Sequence, residues 1–484
     1  MSRAFGALVL FESRLLLRSP VLVPLAVVML AARTFTTWQQ MPNWSIDTVD
    51  TATAAVIVGA GALLSANLAA LRDAKGGFAE LLTPVPSQPV VRTMAVLAAA
   101  TVVSALLSTA VIAVHVASLR IGSVPVGRFD LAELAAGVVV VVLMAALGVA
   151  LARWVPVLVA APVALLVLVW SMFQFPGVWL LPVVPDLKVS VDPVRPPLWH
   201  LLYAAGLVVI ALAVALLRHG PRPARLGVAV LGVVAAVLGG VLTLGSPQAG
   251  APTASAGRGW ADREVTSGAE HCTDLSGVRY CSFPTFAAWI PLWQEAIDPV
   301  VSAVPPGARD DLPRVVQRTL SGRIDAASAR STIMPDTSWG RNGGEVDSRR
   351  ALAAQMAGAL TGFPPVTEIQ TMRGCDGRDR SRTVVALWLI NQVEPAAAPE
   401  RGSSQGDGGE YSAGRAKSDL GAVDYSDTEL GYATRLRATP DAKTRIWSNW
   451  DELVDPDTTL ARALPLLGLT ADLPLQRSEG EPCR

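Results

Sequence analysis

Four cysteines, a lone histidine and carboxylate pairs such as Asp310 and Asp311 are the groups in the C-terminal half that could do chemistry. Cys272, Cys281, Cys375 and Cys483 all lie beyond residue 270. An even number of cysteines confined to one region suits disulfides, which require an oxidising compartment. Cys272 and Cys281 enclose the short loop Thr273–Tyr280 and are the most natural pair, leaving Cys375 and Cys483 to tie the middle of the region to its end. Three pairings are formally open among four cysteines. Each crosslink contributes about 2–4 kcal/mol. His271 is the single histidine of this half, so no histidine pair at metal-ligand spacing exists. A Ser-His-acid site would have to use that same residue, beside Cys272 in a constrained loop. Asp310 and Asp311 read as a solvated helix start. No Gly-x-x-x-x-Gly-Lys-Ser/Thr phosphate loop occurs, so the chain is not expected to hydrolyse ATP. We expect no enzyme, no cofactor and no metal.

In the N-terminal half the polar groups inside apolar runs are few, and Arg33, Asn67 and His115 are the notable ones. A charge at mid-membrane costs roughly 2.5–3.5 kcal/mol on insertion scales. Arg33 sits near the end of its run, where snorkelling relieves that cost. No ladder of acids or histidines suggests a proton relay.

The elements that must position these groups follow from composition. Apolar residues make up 51% of the 484, and charged residues only 17%, against about 25% in an average soluble protein. The deficit is concentrated before residue 246. Residues 1–246 therefore read as a transmembrane domain, 247–268 as a linker rich in Ala, Gly, Ser and Pro, and 269–484 as a soluble domain. With 40 basic and 40 acidic residues and no basic stripe interleaved with aromatics, nucleic acid is not an expected partner.

A bilayer core of about 30 Å needs roughly 20 apolar residues per helix. Qualifying runs lie near Pro20–Trp38, Ala52–Leu71, Thr93–Ser118, Leu131–Ala152, Trp154–Phe173, Leu198–Leu217 and Arg225–Leu244, seven in all. The fourth and fifth are broken only by Arg153 and Pro156 and read as a tight hairpin. An N-terminus inside places ten Lys and Arg on the cytoplasmic side (Arg3, Arg14, Arg18, Arg72, Lys75, Arg92, Arg153, Arg218, Arg222, Arg225) against four outside. The first outer loop, Gln39–Asp50, carries two acids and no base. Seven spans then put the C-terminal domain outside the cytoplasm, where its cysteines can oxidise. No small-residue cleavage site follows the first run, which reads as a retained helix.

Residues 3–18 pattern as an amphipathic helix, with Arg3, Arg14 and Arg18 on one face and Phe5, Leu8, Val9, Leu15 and Leu16 on the other. Glu12 falls among the apolar positions and calls for a cationic partner or a place facing protein. In the segment after the second span, Gly76 and Gly77 stop one helix and Pro84 and Pro86 stop the next. Between them Phe78, Leu81 and Leu82 form one apolar face of a short helix, with Glu80 projecting elsewhere. The outer segment Gln174–Pro197 holds six prolines yet stays apolar, so it packs on the bundle or dips into the membrane.

Taken in order, these pieces resemble the type-2 permeases of the ATP-binding-cassette superfamily, over about residues 3–217. The phrases Phe11-Glu-Ser-Arg-Leu-Leu-Leu-Arg-Ser-Pro20 and Phe78-Ala-Glu-Leu-Leu-Thr-Pro-Val-Pro-Ser carry the likeness. The resemblance implies an N-terminal elbow helix and a coupling helix that receives a separate ATPase subunit through Phe78, Glu80, Leu81 and Leu82. It also implies a homo- or heterodimer of permease subunits in the bilayer. A seventh span and a large outer domain depart from the common six-span pattern. The alternative is a membrane-anchored binding or signalling protein that keeps the fold without transporting. Alanine, valine, arginine and proline usage suggests a bacterial source, and hence its plasma membrane.

The expected fold is thus an all-α polytopic membrane protein of about seven transmembrane helices, followed by a mainly α-helical, disulfide-containing domain. In that domain helical spacing marks Pro284–Val304, Pro313–Leu320, Asp347–Leu360 and Thr458–Leu467, while Val384–Gln392 suits strand or helix. Ala396–Leu420 reads as a low-complexity loop. Trp289, Trp293, Trp388, Trp447 and Trp450 are expected in its core.

Overall fold

The computed structural model describes residues 2–75, 89–174, 197–244, 271–317, 331–335, 338–363, 375–393, 420, 423–474 and 482–483. The chain divides into two compact units, Met1–Asp262 and Arg263–Arg484.

The described residues of the first unit form α1 (Ser2–Leu17), α2 (Leu22–Thr37), α3 (Trp44–Lys75), α4 (Pro89–Leu119), α5 (Leu131–Trp154), α6 (Ala160–Gln174), α7 (Pro197–Leu217) and α8 (Pro223–Leu244). Proline opens α4, α7 and α8, where its missing N–H costs nothing and its fixed φ already suits a helix. Asp130 opens α5, its carboxylate accepting from the N–H groups of Ala132 and Glu133. Five of these helices, α3, α4, α5, α7 and α8, are long and apolar enough to cross a bilayer. The helices α1 and α2 qualify only as a pair, and that pair is bent by 52° at its break.

Helices therefore occur at all seven expected places, and among the described residues five of them, or six if the bent α1–α2 pair is one span, are long and apolar enough to cross a bilayer. The fifth run, Trp154–Phe173, is broken after Trp154 and leaves α6 with 15 residues. At 1.5 Å per residue its described part is about 22 Å long, against a bilayer core of about 30 Å. Pro156 supplies the break, since it cannot continue the helix begun in α5.

Small residues let the long helices meet backbone to backbone. Gly137 of α5 faces Ala52 of α3, and a Cβ there would come 2.9 Å from the Ala52 Cα. Eleven residues further along both helices, about three turns, a Cβ on Gly148 would overlap the Leu63 carbonyl. These contacts rise together along both helices, so α3 and α5 run parallel. The α7–α8 pair is antiparallel, with Gly206 against Ala236 and Gly239 against Tyr203. Such close approach replaces the hydrophobic drive that lipid removes. The other face of α8, with Leu231, Val234, Val237, Leu238 and Val241, stays exposed, as a lipid-facing surface should.

In the second unit β1 (His271–Leu275) and β2 (Val278–Ser282) form a hairpin through Ser276 and Gly277, both at positive φ. Cys272 stands directly opposite Cys281 in that ladder and is bonded to it. A second disulfide joins Cys375 to Cys483. The strands β3 (Arg314–Val316) and β4 (Thr332–Ile333) extend the sheet in parallel. Around it lie α9 (Ile290–Ala303), α10 (Glu345–Leu360) and α11 (Ser381–Ile390). Then β5 (Cys375–Asp376) pairs with β6 (Val423–Asp424), and α12 (Asp427–Ala438), α13 (Ala442–Ser448), α14 (Trp450–Val454) and α15 (Leu460–Leu467) complete the described elements. Every residue of α11 is buried, so the run expected at Val384–Gln392 is a core helix as far as Ile390 and a turn beyond it.

One expectation fails here. Pro313–Leu320 contains a strand where a helix was expected, because Val315 is fully buried between pairing partners on β2 and β4. The unit also holds a mixed four-stranded sheet beside its helices. Of the five tryptophans, Trp289, Trp293, Trp388 and Trp450 are buried. Trp447 is only half-buried, with Lys443 and Arg309 over its ring and its indole N–H donating to the Ala303 carbonyl.

Candidate functional site

Polar side chains of the membrane unit collect at its two ends. One end joins the last turn of α2, the first turns of α3 and α5, and the last turn of α4. There Arg33 donates to Asp47 at 3.3 Å and to Asp50 at 3.4 Å. The other Asp47 oxygen accepts the Asn43 N–H at 2.9 Å, and the Ser45 hydroxyl accepts the Arg128 N–H at 2.9 Å. The Trp44 N–H reaches the Val126 carbonyl at 2.7 Å, and the Val126 N–H reaches Pro42 at 3.1 Å. Phe129 meets the Trp44 ring edge-on, and Arg120 lies over the same ring. The two connecting loops are thus sewn into a strap. Beneath it His115 is wholly buried, and neither of its ring nitrogens has a hydrogen-bond partner.

Snorkelling was expected to relieve the cost of Arg33. That arginine is instead neutralised by the two acids assigned to a loop, because α3 begins at Trp44 and carries Asp47 and Asp50 three residues apart on one face.

The opposite end gathers the last turns of α3, α5 and α7, the first turns of α4 and α8, and α1. Phe5, Leu8, Val9, Leu15 and Leu16 of α1 are all half-buried or buried, while Arg14 and Arg18 are exposed and Arg3 lies on the same helix. Glu12, out of place among those apolar positions, accepts from Arg72 at 2.6 Å. Ser19, in the break between α1 and α2, bonds Ser65 of α3 at 2.7 Å. Asn67 donates to the Gly148 carbonyl at 3.1 Å, so it serves the α3–α5 seam.

Beside these lies a cluster of cations. Thr93 bonds the His219 ring at 2.8 Å, bringing Arg92 and Arg218 together. The Trp154 indole donates to the Val214 carbonyl at 2.9 Å, which brings Arg153 to the same place. Arg225 donates to the carbonyls of Leu216, His219 and Gly220, closing the end of α7. The Arg92 Nε and Nη1 are buried without a hydrogen-bond partner. Burial holds the His219 imidazole below its usual range, and the charges of Arg153, Arg225, Arg218 and Arg92 push it the same way. An end built like this favours anions and repels cations.

Phe78, Glu80, Leu81 and Leu82 lie outside the described residues, as do the linker 247–268 and all of Ala396–Leu420 but its last residue. In the second unit the described Asp, Glu, His and Cys residues form no group of three that could hold a metal. Arg382 is buried, but it donates to the Gly362 and Cys483 carbonyls and lies 4.5 Å from the Phe363 ring, a structural role. A shallow groove of about 420 Å³ runs between Pro305 and Trp447–Glu452. Its Glu452 is already bonded to Arg462 at 2.6 Å.

Sequence reasoning found Glu12 and its need of a cation. It missed the Thr93–His219 bond, whose only signal was a threonine beside an arginine at a helix start. Compared with known proteins, the chain matches no family model, no curated protein and no solved structure.

Proposed function

We propose that this chain is the membrane-spanning permease subunit of an ATP-driven exporter of the ATP-binding-cassette type. A separate ATPase docks on residues 76–88, and two permease subunits form the working dimer in a bacterial plasma membrane. The observation that carries the reading is the Glu12–Arg72 bond of 2.6 Å. It fastens an amphipathic helix, bent against α2, to the end of α3 from which the docking segment issues. A push delivered to that segment then reaches α1 and α3 together, as an elbow and coupling helix require. The direction of α8, from the cationic end toward the Arg33 end, supports an extracytoplasmic C-terminal domain.

The closed α3–α5 seam favours a second reading. With glycines admitting one backbone onto the other, that seam leaves no room for cargo between these two helices. A membrane-anchored binding or signalling protein with the same bundle would need none.

Purification of the tagged chain from its native membrane in mild detergent separates the two. An ATPase that co-purifies near one-to-one, and is lost on Phe78→Ala with Leu81→Ala, supports the permease. A chain that stays free of any ATPase under crosslinking supports the anchored protein.

A further inference from the structure

We propose that the cationic end of the membrane unit binds the phosphate group of an anionic phospholipid, held by Arg92, Arg153 and Arg218 around His219. Four helix ends converge there. Thr93 at 2.8 Å from the His219 ring fixes α4 against the α7–α8 turn, and the Trp154 indole at 2.9 Å from Val214 fixes α5 against α7. These two bonds place four arginines around one imidazole, and the charges of all four act on it.

Ordinary inner-loop arginines extend into water and make no such cluster. Arg92 does not: its Nε and Nη1 are enclosed and unpaired. An enclosed guanidinium donor without an acceptor is costly unless a ligand supplies one. The planar fork of Nε and one Nη matches two phosphate oxygens. Arg225 spends Nη1 on three carbonyls and so shapes the site. Basic pockets between helices at a membrane surface are suited to anionic headgroups, and a lipid phosphate arrives at this depth already concentrated in two dimensions. The site is independent of whether the chain transports.

The test is native mass spectrometry of the full chain in detergent. The probes are dioleoyl phosphatidylglycerol and dioleoyl phosphatidylcholine at equal concentration. Wild type should retain phosphatidylglycerol about tenfold better, and Arg92→Gln with Arg218→Gln should remove that preference. Arg120→Gln, at the opposite end, should leave it intact. If the double variant does not fold, Arg218→Gln alone, at an exposed position, should show a smaller loss in the same direction. Equal retention of the two lipids by wild type would overturn the site. So would a double variant that keeps the preference, or inorganic phosphate that binds in millimolar amounts and displaces phosphatidylglycerol.

Discussion

The two ends of the helix bundle handle arginine in opposite ways. At one, Arg33 lies in a nearly enclosed place and is matched by Asp47 and Asp50. At the other, the charges of four arginines, Arg153, Arg225, Arg218 and Arg92, act on His219. The first arrangement spends its charges on itself. Its hydrogen bonds run from helix to loop to helix, and the result is a closed strap. The second keeps a net positive field at a place where Arg92 has donors to spare. Charge satisfied inside the fold stabilises it, whereas charge left unsatisfied is available for recognition.

That contrast can be broken by removing one charge from each end. Asp47→Ala should cost about 3 kcal/mol, because it leaves Arg33 buried with a single, more exposed partner and frees the Asn43 N–H. Arg218→Gln should cost nothing measurable, or stabilise slightly, because it relieves repulsion among like charges. Thermal unfolding of both variants in the same detergent decides the matter. Equal losses would mean that both ends are structural ion-pair networks.

A smaller effect sharpens what holds the cationic end together. Thr93→Val removes the hydrogen bond that ties α4 to His219 in the α7–α8 turn, at almost constant volume. A loss of about 1 kcal/mol is expected in the same melts. No change would show that the arginines are gathered by helix packing alone. Smaller again is Glu12→Gln, for Arg72 is half exposed and its ion pair is screened by water. A loss below about 1 kcal/mol is expected, together with faster proteolysis within α1. A larger loss would make the α1 anchor as rigid as the Arg33 strap.

Much of this was legible before any coordinates. Long apolar runs announce helices because no other local structure satisfies the backbone in a bilayer. Glu12 announced its own partner, since a carboxylate on an apolar face has no cheaper solution. Arg33 misled because snorkelling and pairing are equally good answers at a helix end. Only the true start of α3, six residues before Asp50, chooses between them. The three residues of β3 were illegible for a different reason. Arg314–Val316 is a strand because β2 and β4 flank it, and those partners lie far away in the sequence. The convergence at His219 likewise depends on how four helices pack, which no local pattern encodes.

The finest test of the contrast is the titration of His219 itself. Its imidazole is held below the ordinary value of about 6.5 first by burial and then by the arginines. In the folded chain the neutral form is therefore favoured, while the unfolded chain protonates normally. The stability this confers is complete above about pH 6.5 and falls as pH drops toward the folded value. Thr93 can accept from either form, so it does not reverse that sign. A bound lipid phosphate would cancel part of the arginine charge and leave burial unchanged. The ring should then titrate at higher pH in nanodiscs of phosphatidylglycerol than in phosphatidylcholine, followed by its NMR resonances. His115, under the strap at the other end, should respond the same way in both lipids. A His219 titration indifferent to the lipid would show that the cationic end holds no anion, and that the two ends differ only in which partners they happen to lack.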